Sequence, residues 1–180
     1  AGAYESEKKL HASQKWGMLY LPVRGTGPTA WTTDEKERIH IRRRFALLGQ
    51  TLDGMRIWDI RRGIQALRTL DGAGEPELWL QASGVMAGNA LHASLFEKDI
   101  KRLDLHDLPT SHREGPVLLN VLRFTDLPQI AAIAGEHMVL VGPPGAGKSA
   151  LIRLFSKLVR ADYFEYLLTR FTEANEIFGP

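Results

Sequence analysis

The stretch His137-Met-Val-Leu-Val-Gly-Pro-Pro-Gly-Ala-Gly-Lys-Ser-Ala150 decides how this chain is read. His137 to Val141 is short, apolar and rich in β-branched residues, which predicts a buried strand. It runs without a break into Gly142, Pro143, Pro144, Gly145, Ala146, Gly147, Lys148 and Ser149, a match to the Walker A pattern G-x-x-x-x-G-K-[ST]. A helix is expected next, from Ala150 to Arg160, with Leu151, Leu154, Phe155 and Leu158 on one face. Strand, glycine-rich loop and helix together form the setting in which the pattern carries meaning. The three glycines let successive main-chain N–H groups turn inward, and the helix adds its free N–H groups and positive dipole end. Lys148 then reaches the β and γ phosphates as a point charge, and the Ser149 hydroxyl is the expected Mg²⁺ ligand. The expected ligands are therefore ATP and Mg²⁺, with residues 142–149 as the binding loop.

Upstream, the sequence alternates strand and helix signals. Leu19 to Val23, closed by Pro22 and followed by Gly25-Thr-Gly-Pro28, reads as a buried strand entering a loop. Helices are expected from Asp34 to Leu48, with Ile39, Ile41, Phe45, Leu47 and Leu48 as the apolar face, and from Met55 to Leu70, where Ile57, Ile60, Ile64 and Leu67 recur at spacings of three and four. Asp71-Gly72-Ala-Gly74 reads as the stop of the second. Glu77 to Gln81 reads as a strand, Ala87 to Phe96 as a helix and Arg102 to Leu105 as a strand, a unit that favours a parallel sheet. Val117 to Phe124 and Leu127 to Ala134 look helical, split at Asp126 and Pro128, and Tyr163 to Thr169 reads as a last strand. The fold class is therefore α/β, with parallel strand and helix units.

Composition narrows the function. The chain has 180 residues, 44% hydrophobic and 24% charged, with a net charge of +2 and no cysteine. Thiolate metal sites, disulfides and cysteine nucleophiles are thereby excluded. The apolar runs are far shorter than the roughly 20 residues a membrane helix needs, and the N-terminus lacks an apolar targeting core, so a soluble, cytoplasmic protein is expected. The basic zone of Arg38, Arg42 to Arg44, Arg61 and Arg62 is interleaved with Asp34, Glu35, Glu37 and Asp59, which reads as a solvated face rather than a nucleic-acid surface. His92, His106 and His137 have no metal-site spacing and are expected at the surface or half-buried, and His112 on a solvated loop.

Two family resemblances follow from longer phrases. Ala131-Ala-Ile-Ala-Gly-Glu-His-Met-Val-Leu-Val-Gly-Pro-Pro-Gly-Ala-Gly-Lys-Ser-Ala150, together with Tyr163-Phe-Glu-Tyr-Leu-Leu-Thr-Arg-Phe-Thr-Glu-Ala-Asn-Glu-Ile-Phe-Gly-Pro180, resembles the opening of a MoxR/RavA-type AAA+ ATPase over residues 130–180. The resemblance implies ATP, Mg²⁺, assembly into a homo-oligomeric ring and a chaperone-like remodelling role. Such ATPases carry their Walker B acids, sensor and arginine finger further along, and Glu173 and Glu176 lie in a polar segment that does not supply a Walker B. Nucleotide binding is expected; unaided hydrolysis is not.

Residues 19–133 instead resemble bacterial α/β-hydrolases of the acetyl-xylan-esterase type. The phrases concerned are Arg42 to Leu67, Leu78-Trp-Leu-Gln-Ala-Ser-Gly-Val-Met-Ala-Gly88 and Leu119-Asn-Val-Leu-Arg-Phe-Thr-Asp-Leu-Pro-Gln129. An active hydrolase needs a nucleophile on the sharp strand-to-helix turn, flanked by small residues. Ser83 is the one catalytic candidate; against it, Gln81 and Val85 stand where small residues belong and the register puts Gly84 at the tip. A serine capping the following helix is the competing role. The remaining triad members would come after Gln129, where the phosphate loop begins. The expected division is thus an extension at 1–18, a hydrolase-like segment at 19–133 and a P-loop segment at 134–180. The readings left open are an ATP-binding module, an esterase-like segment lacking its catalytic residues, and a chimeric fragment in which neither part works.

Overall fold

The computed structural model describes residues 17–69, 77–97, 99–134, 137–142 and 148–159. Its centre is a three-stranded sheet of order β1-β2-β3, with β1 at Leu78–Ser83, β2 at Ile100–His106 and β3 at His137–Val141. All pairing is parallel, Trp79 to Ser83 against Arg102 to His106, and Arg102 to His106 against His137 to Val141. Parallel strands need crossovers, and the chain supplies them with α3 at Val85–Ser94 between β1 and β2, and α4 at Leu127–Ala134 before β3. The helix α5, Lys148–Val159, follows β3 and lies against α4, with Leu151 buried in the common core. Central β2 buries Ile100, Leu103 and Leu105 almost completely, and α3 is buried from Ala87 to Ser94.

Two helices precede this sheet unit in the chain. The first, α1 at Glu35–Leu47, is capped by the Asp34 carboxylate, which accepts from the Glu37 N–H at 2.9 Å. The second, α2 at Leu52–Arg68, is capped by Thr51 and packs Ile57, Ile60 and Ile64 against α3 and the core. It begins three residues before the expected Met55, because the Thr51 hydroxyl accepts from the Gly54 N–H at 3.0 Å and starts the helix there. Asp53 then ties three elements together: its carboxylate accepts from Arg56 at 3.1 Å, Asn89 of α3 at 3.3 Å and the Val117 N–H at 2.9 Å.

Three expectations are corrected. Leu19 to Val23 is not a strand; its backbone runs beside α2 with Leu19, Tyr20 and Leu21 exposed, and only Val23 enters the core. The apolar face assigned to α1 is not buried either, Leu47 and Leu48 being 87% and 74% exposed. Nor is Val117 to Phe124 an α-helix. Asn120 takes a left-handed conformation with φ of 59°, which limits helical turn to Val121–Arg123. Leu127 to Ala134 is helical as the pattern requires, with Pro128 in the first turn where its missing N–H costs nothing. The expected stop at Asp71 to Gly74 and the strand at Tyr163 to Thr169 lie outside the described residues.

One polar contact fastens the sheet unit to α2. The Glu97 carboxylate, its side chain 3% exposed, accepts from Arg61 and Arg68 at 3.0 Å each and from Gln65 at 2.7 Å. Arg68 sits in the last turn of α2, where a cation also complements the helix dipole. Glu97→Ala leaves two guanidiniums without their common partner and is expected to lower the unfolding free energy by about 2 kcal/mol. Urea denaturation of the two chains measures it, and a change of a few tenths would show the cluster to be ornamental.

Candidate functional site

Because β2 and β3 are parallel, their C-terminal ends lie at one edge of the sheet, and the Walker A residues begin there. Gly142 follows β3 directly, and α5 opens at Lys148, two residues earlier than the expected Ala150. Both candidate ligands, Lys148 and Ser149, therefore belong to the first turn of a helix, where main-chain N–H groups have no intrahelical acceptor. The Lys148 ammonium folds back and donates to the Gly142 carbonyl at 2.6 Å. Ser149 is exposed. Pro143, Pro144, Gly145, Ala146 and Gly147 lie outside the described residues. Of the apolar face predicted for α5, Leu151 is buried and Leu154 is 45% exposed, while the Phe155 and Leu158 side chains lie outside the described residues.

The neighbouring strand contributes a residue that the sequence reading missed. Asp107, just past β2, has φ of 50° and donates its N–H to the Val141 carbonyl at 2.5 Å, extending the ladder by one step. A Cβ on Gly142 would stand 2.7 Å from Asp107 Oδ1. A side chain at 142 would require the exposed carboxylate to turn aside.

The β1 to α3 turn is the second place where the sequence pointed to chemistry. Its tip is Gly84, with φ of 59° and ψ of −134°, as the register of the phrase implied. Ser83 is the exposed last residue of β1 and, among the described residues, hydrogen-bonds no histidine or carboxylate. The capping role is corrected, since α3 receives no side-chain cap. Gly84 N–H instead donates to the His106 carbonyl at 2.8 Å, which fastens the tip to β2.

A third cluster was not foreseen at all. His92 and His112, expected near solvent, are both 6% exposed. The Asp126 carboxylate accepts from the Ser111 hydroxyl at 2.7 Å, the His112 N–H at 2.7 Å, the Leu127 N–H at 2.8 Å and contacts His112 Nδ1 at 2.8 Å. His112 Nε2 meets His92 Nε2 at 3.2 Å, and His92 Nδ1 reaches the Gly88 carbonyl at 2.8 Å. One proton serves the two facing ring nitrogens. Burial pushes the Asp126 carboxyl up, but the bonds from Ser111, His112 and Leu127 outweigh it and hold the group below its ordinary range. His92 is held below its ordinary value, first by burial and then by the nearby His112 ring, against the opposing Gly88 bond. The only sequence signal was Asp126-Leu-Pro, a helix start; here Asp126 N–H donates to Gln129 Oε1 at 3.1 Å, half of a capping box.

With this geometry in hand, similarity to known proteins adds the family context. The family model described as the MoxR domain in the MoxR-vWA-beta-propeller ternary systems matches residues 117–180. The match supports a MoxR-type AAA+ region. It starts well before residue 130, so the phrase Leu119 to Gln129, read above as hydrolase-like, falls inside the MoxR-type match. Two proteins of Methanocaldococcus jannaschii, both described as uncharacterized, are 47% identical over 55 residues, which is 31% of this chain. The chain spans only 15% and 14% of the lengths of these relatives. No solved structure matches the chain.

Two outcomes follow from the turn and the cluster. Gly84→Ala meets no atom within 4 Å of the added carbon, yet its backbone falls where side chains are strained, so it is expected to cost about 1–3 kcal/mol in a denaturation experiment. For His92 the folded chain resists the proton that the unfolded chain accepts below about pH 6.5, so stability falls as pH drops below that value. Asp126 contributes stability that is complete above about pH 4 and is lost as pH falls further. His92→Gln should abolish the upper part of this decline and leave the lower part, as thermal midpoints against pH would record.

Proposed function

We propose that residues 142–149 bind the phosphate tail of a nucleoside triphosphate, ATP by family likeness, within the opening part of a MoxR-type AAA+ ATPase region. The observation that carries this reading is the placement of Lys148. It opens α5 immediately after the loop, at the C-terminal edge of a parallel sheet, with its ammonium turned back on Gly142 at 2.6 Å. An anion entering between β3 and α5 meets that ammonium, the Ser149 hydroxyl and the open N–H groups of the first helical turn. This donor set fits a polyphosphate and, through the Ser149 oxygen, a hard divalent cation such as Mg²⁺, which when bound neutralises phosphate charge. A division into an extension at 1–18, an upstream segment at 19–133 and a nucleotide segment at 134–180 accompanies the proposal. So do assembly into a ring and a remodelling role, both of which concern the longer protein.

A second reading is favoured by one observation, the sharp β1 to α3 turn with Gly84 at its tip. A hydrolase nucleophile occupies such a tip, and here the tip residue has no side chain to attack with. The upstream segment then serves as an esterase-like scaffold without esterase chemistry. Aryl acetate turnover that disappears in Ser83→Ala would contradict this.

The test of the main reading is thermal. Mg·ATP should raise the unfolding midpoint of the chain, by an amount corresponding to about 2.7 kcal/mol at a hundredfold excess over the dissociation constant. Lys148→Ala should lose that shift and keep the ligand-free midpoint. An equal shift in both chains, or none in either, would overturn it.

A further inference from the structure

Neither the sheet nor the Walker A residues explain α1. None of its residues is buried, yet between it and the start of α2 lies a recess of about 50 Å³. We infer that this recess binds a small tetrahedral oxyanion, of the size and charge of phosphate or sulfate, on Arg38, Arg42 and Arg56. The inference is independent of the nucleotide-binding reading and uses none of its residues.

Position is the first argument. Three arginines line the recess, Arg38 and Arg42 from α1 and Arg56 from α2, and Trp31 and Thr32 close it from the segment before α1. Among the described residues no carboxylate lines it. Gly25 has φ of 70°, and a Cβ there would stand 3.3 Å from the Trp31 ring and 3.5 Å from the Arg56 guanidinium, so this turn lets both groups close on the recess. Arg56, its side chain 12% exposed, is held in place. It donates to the Arg24 carbonyl at 3.2 Å, the Gly25 carbonyl at 3.3 Å and Asp53 at 3.1 Å, which leaves one unused N–H on each terminal nitrogen.

Charge is the second. The acids interleaved with the basic zone in sequence are engaged elsewhere: Asp34 caps α1, Glu35 pairs with Arg38 at 3.2 Å, Glu37 accepts from the Thr32 hydroxyl at 2.5 Å and Asp59 accepts from Arg24 at 2.7 Å. With Glu35 on Arg38 and Asp53 on Arg56, Arg42 is left without a hydrogen bond or ion pair among the described residues, so the recess keeps one uncompensated guanidinium. Leu52, which opens the 17-residue α2, lines the recess as well and brings the positive end of that helix to it. Planar guanidiniums match the paired oxygens of a tetrahedral oxyanion. About 10–15 Å³ of such space holds one water, so 50 Å³ holds roughly four, enough for one phosphate or sulfate and too little for a nucleotide.

Thermal unfolding of the full chain against inorganic phosphate, at an ionic strength held constant with sodium chloride, tests the inference. Lys148→Ala serves as the background, because phosphate also meets the Walker A ammonium. Phosphate should still raise the midpoint of that chain. Adding Arg42→Gln should weaken binding by about tenfold, and Arg42→Lys should recover part of the loss, since an ammonium keeps the charge without the fork. Arg42 is exposed, so neither variant disturbs the core. Arg43→Gln removes the same charge one residue along, outside the recess, and should bind like the background chain. Phenyl phosphate is the second probe: affinity equal to that of phosphate identifies the ligand as the phosphoryl end of a larger molecule, and weaker affinity identifies it as the free ion. No shift in the Lys148→Ala background, or equal weakening by Arg42→Gln and Arg43→Gln, would overturn the inference.

Discussion

The parallel pairing of β2 with β3 is the constraint on which everything else depends. Five residue pairs from Arg102↔His137 to His106↔Val141, prolonged by the Asp107 N–H, seat the strand that precedes the Walker A residues beside an already buried central strand. β3 is only five residues long, so it needs such a neighbour. Leu103 and Leu105 on β2, Leu127 and Ile130 on α4 and Leu151 on α5 meet in one core, which crosses the boundary expected near residue 133. The region matched by the MoxR family model, residues 117–180, therefore shares its core with β2, upstream of that match.

Much of this was legible in advance where the pattern was local. Isoleucines at 57, 60 and 64 gave α2 its buried face, and the apolar run at Leu127 to Ala134 gave α4. The Val-Leu-Val approach to Gly142 gave β3. Periodicity failed where burial needed a partner that the sequence does not reveal. Leu47 and Leu48 end a helix as the repeat predicts, Leu48 as its C-cap, but both stay largely exposed. Leu19 to Val23 has the composition of a strand without a neighbouring strand to pair with, and composition alone does not satisfy main-chain hydrogen bonds.

The candidate site divides in the same way. Lys148 and Ser149 are candidates that the sequence offers by itself, because the Walker A pattern is written in adjacent residues. Asp107 was missed because its relation to Gly142 exists only through inter-strand register, across 35 positions of chain. His92, His112 and Asp126 were missed for the same reason, being drawn together by α3, a loop and the start of α4. The tip at Gly84 was legible because a turn between strand and helix is a local event.

Hydrogen exchange, measured by mass spectrometry with and without Mg·ATP, tests most directly whether the upstream sheet and the phosphate loop form one unit. The account predicts slow exchange across residues 100–107 and 137–141 in the free chain, and further protection of both segments together with 148–151 when nucleotide is added. Protection confined to 148–151, with 100–107 unaffected, would contradict it.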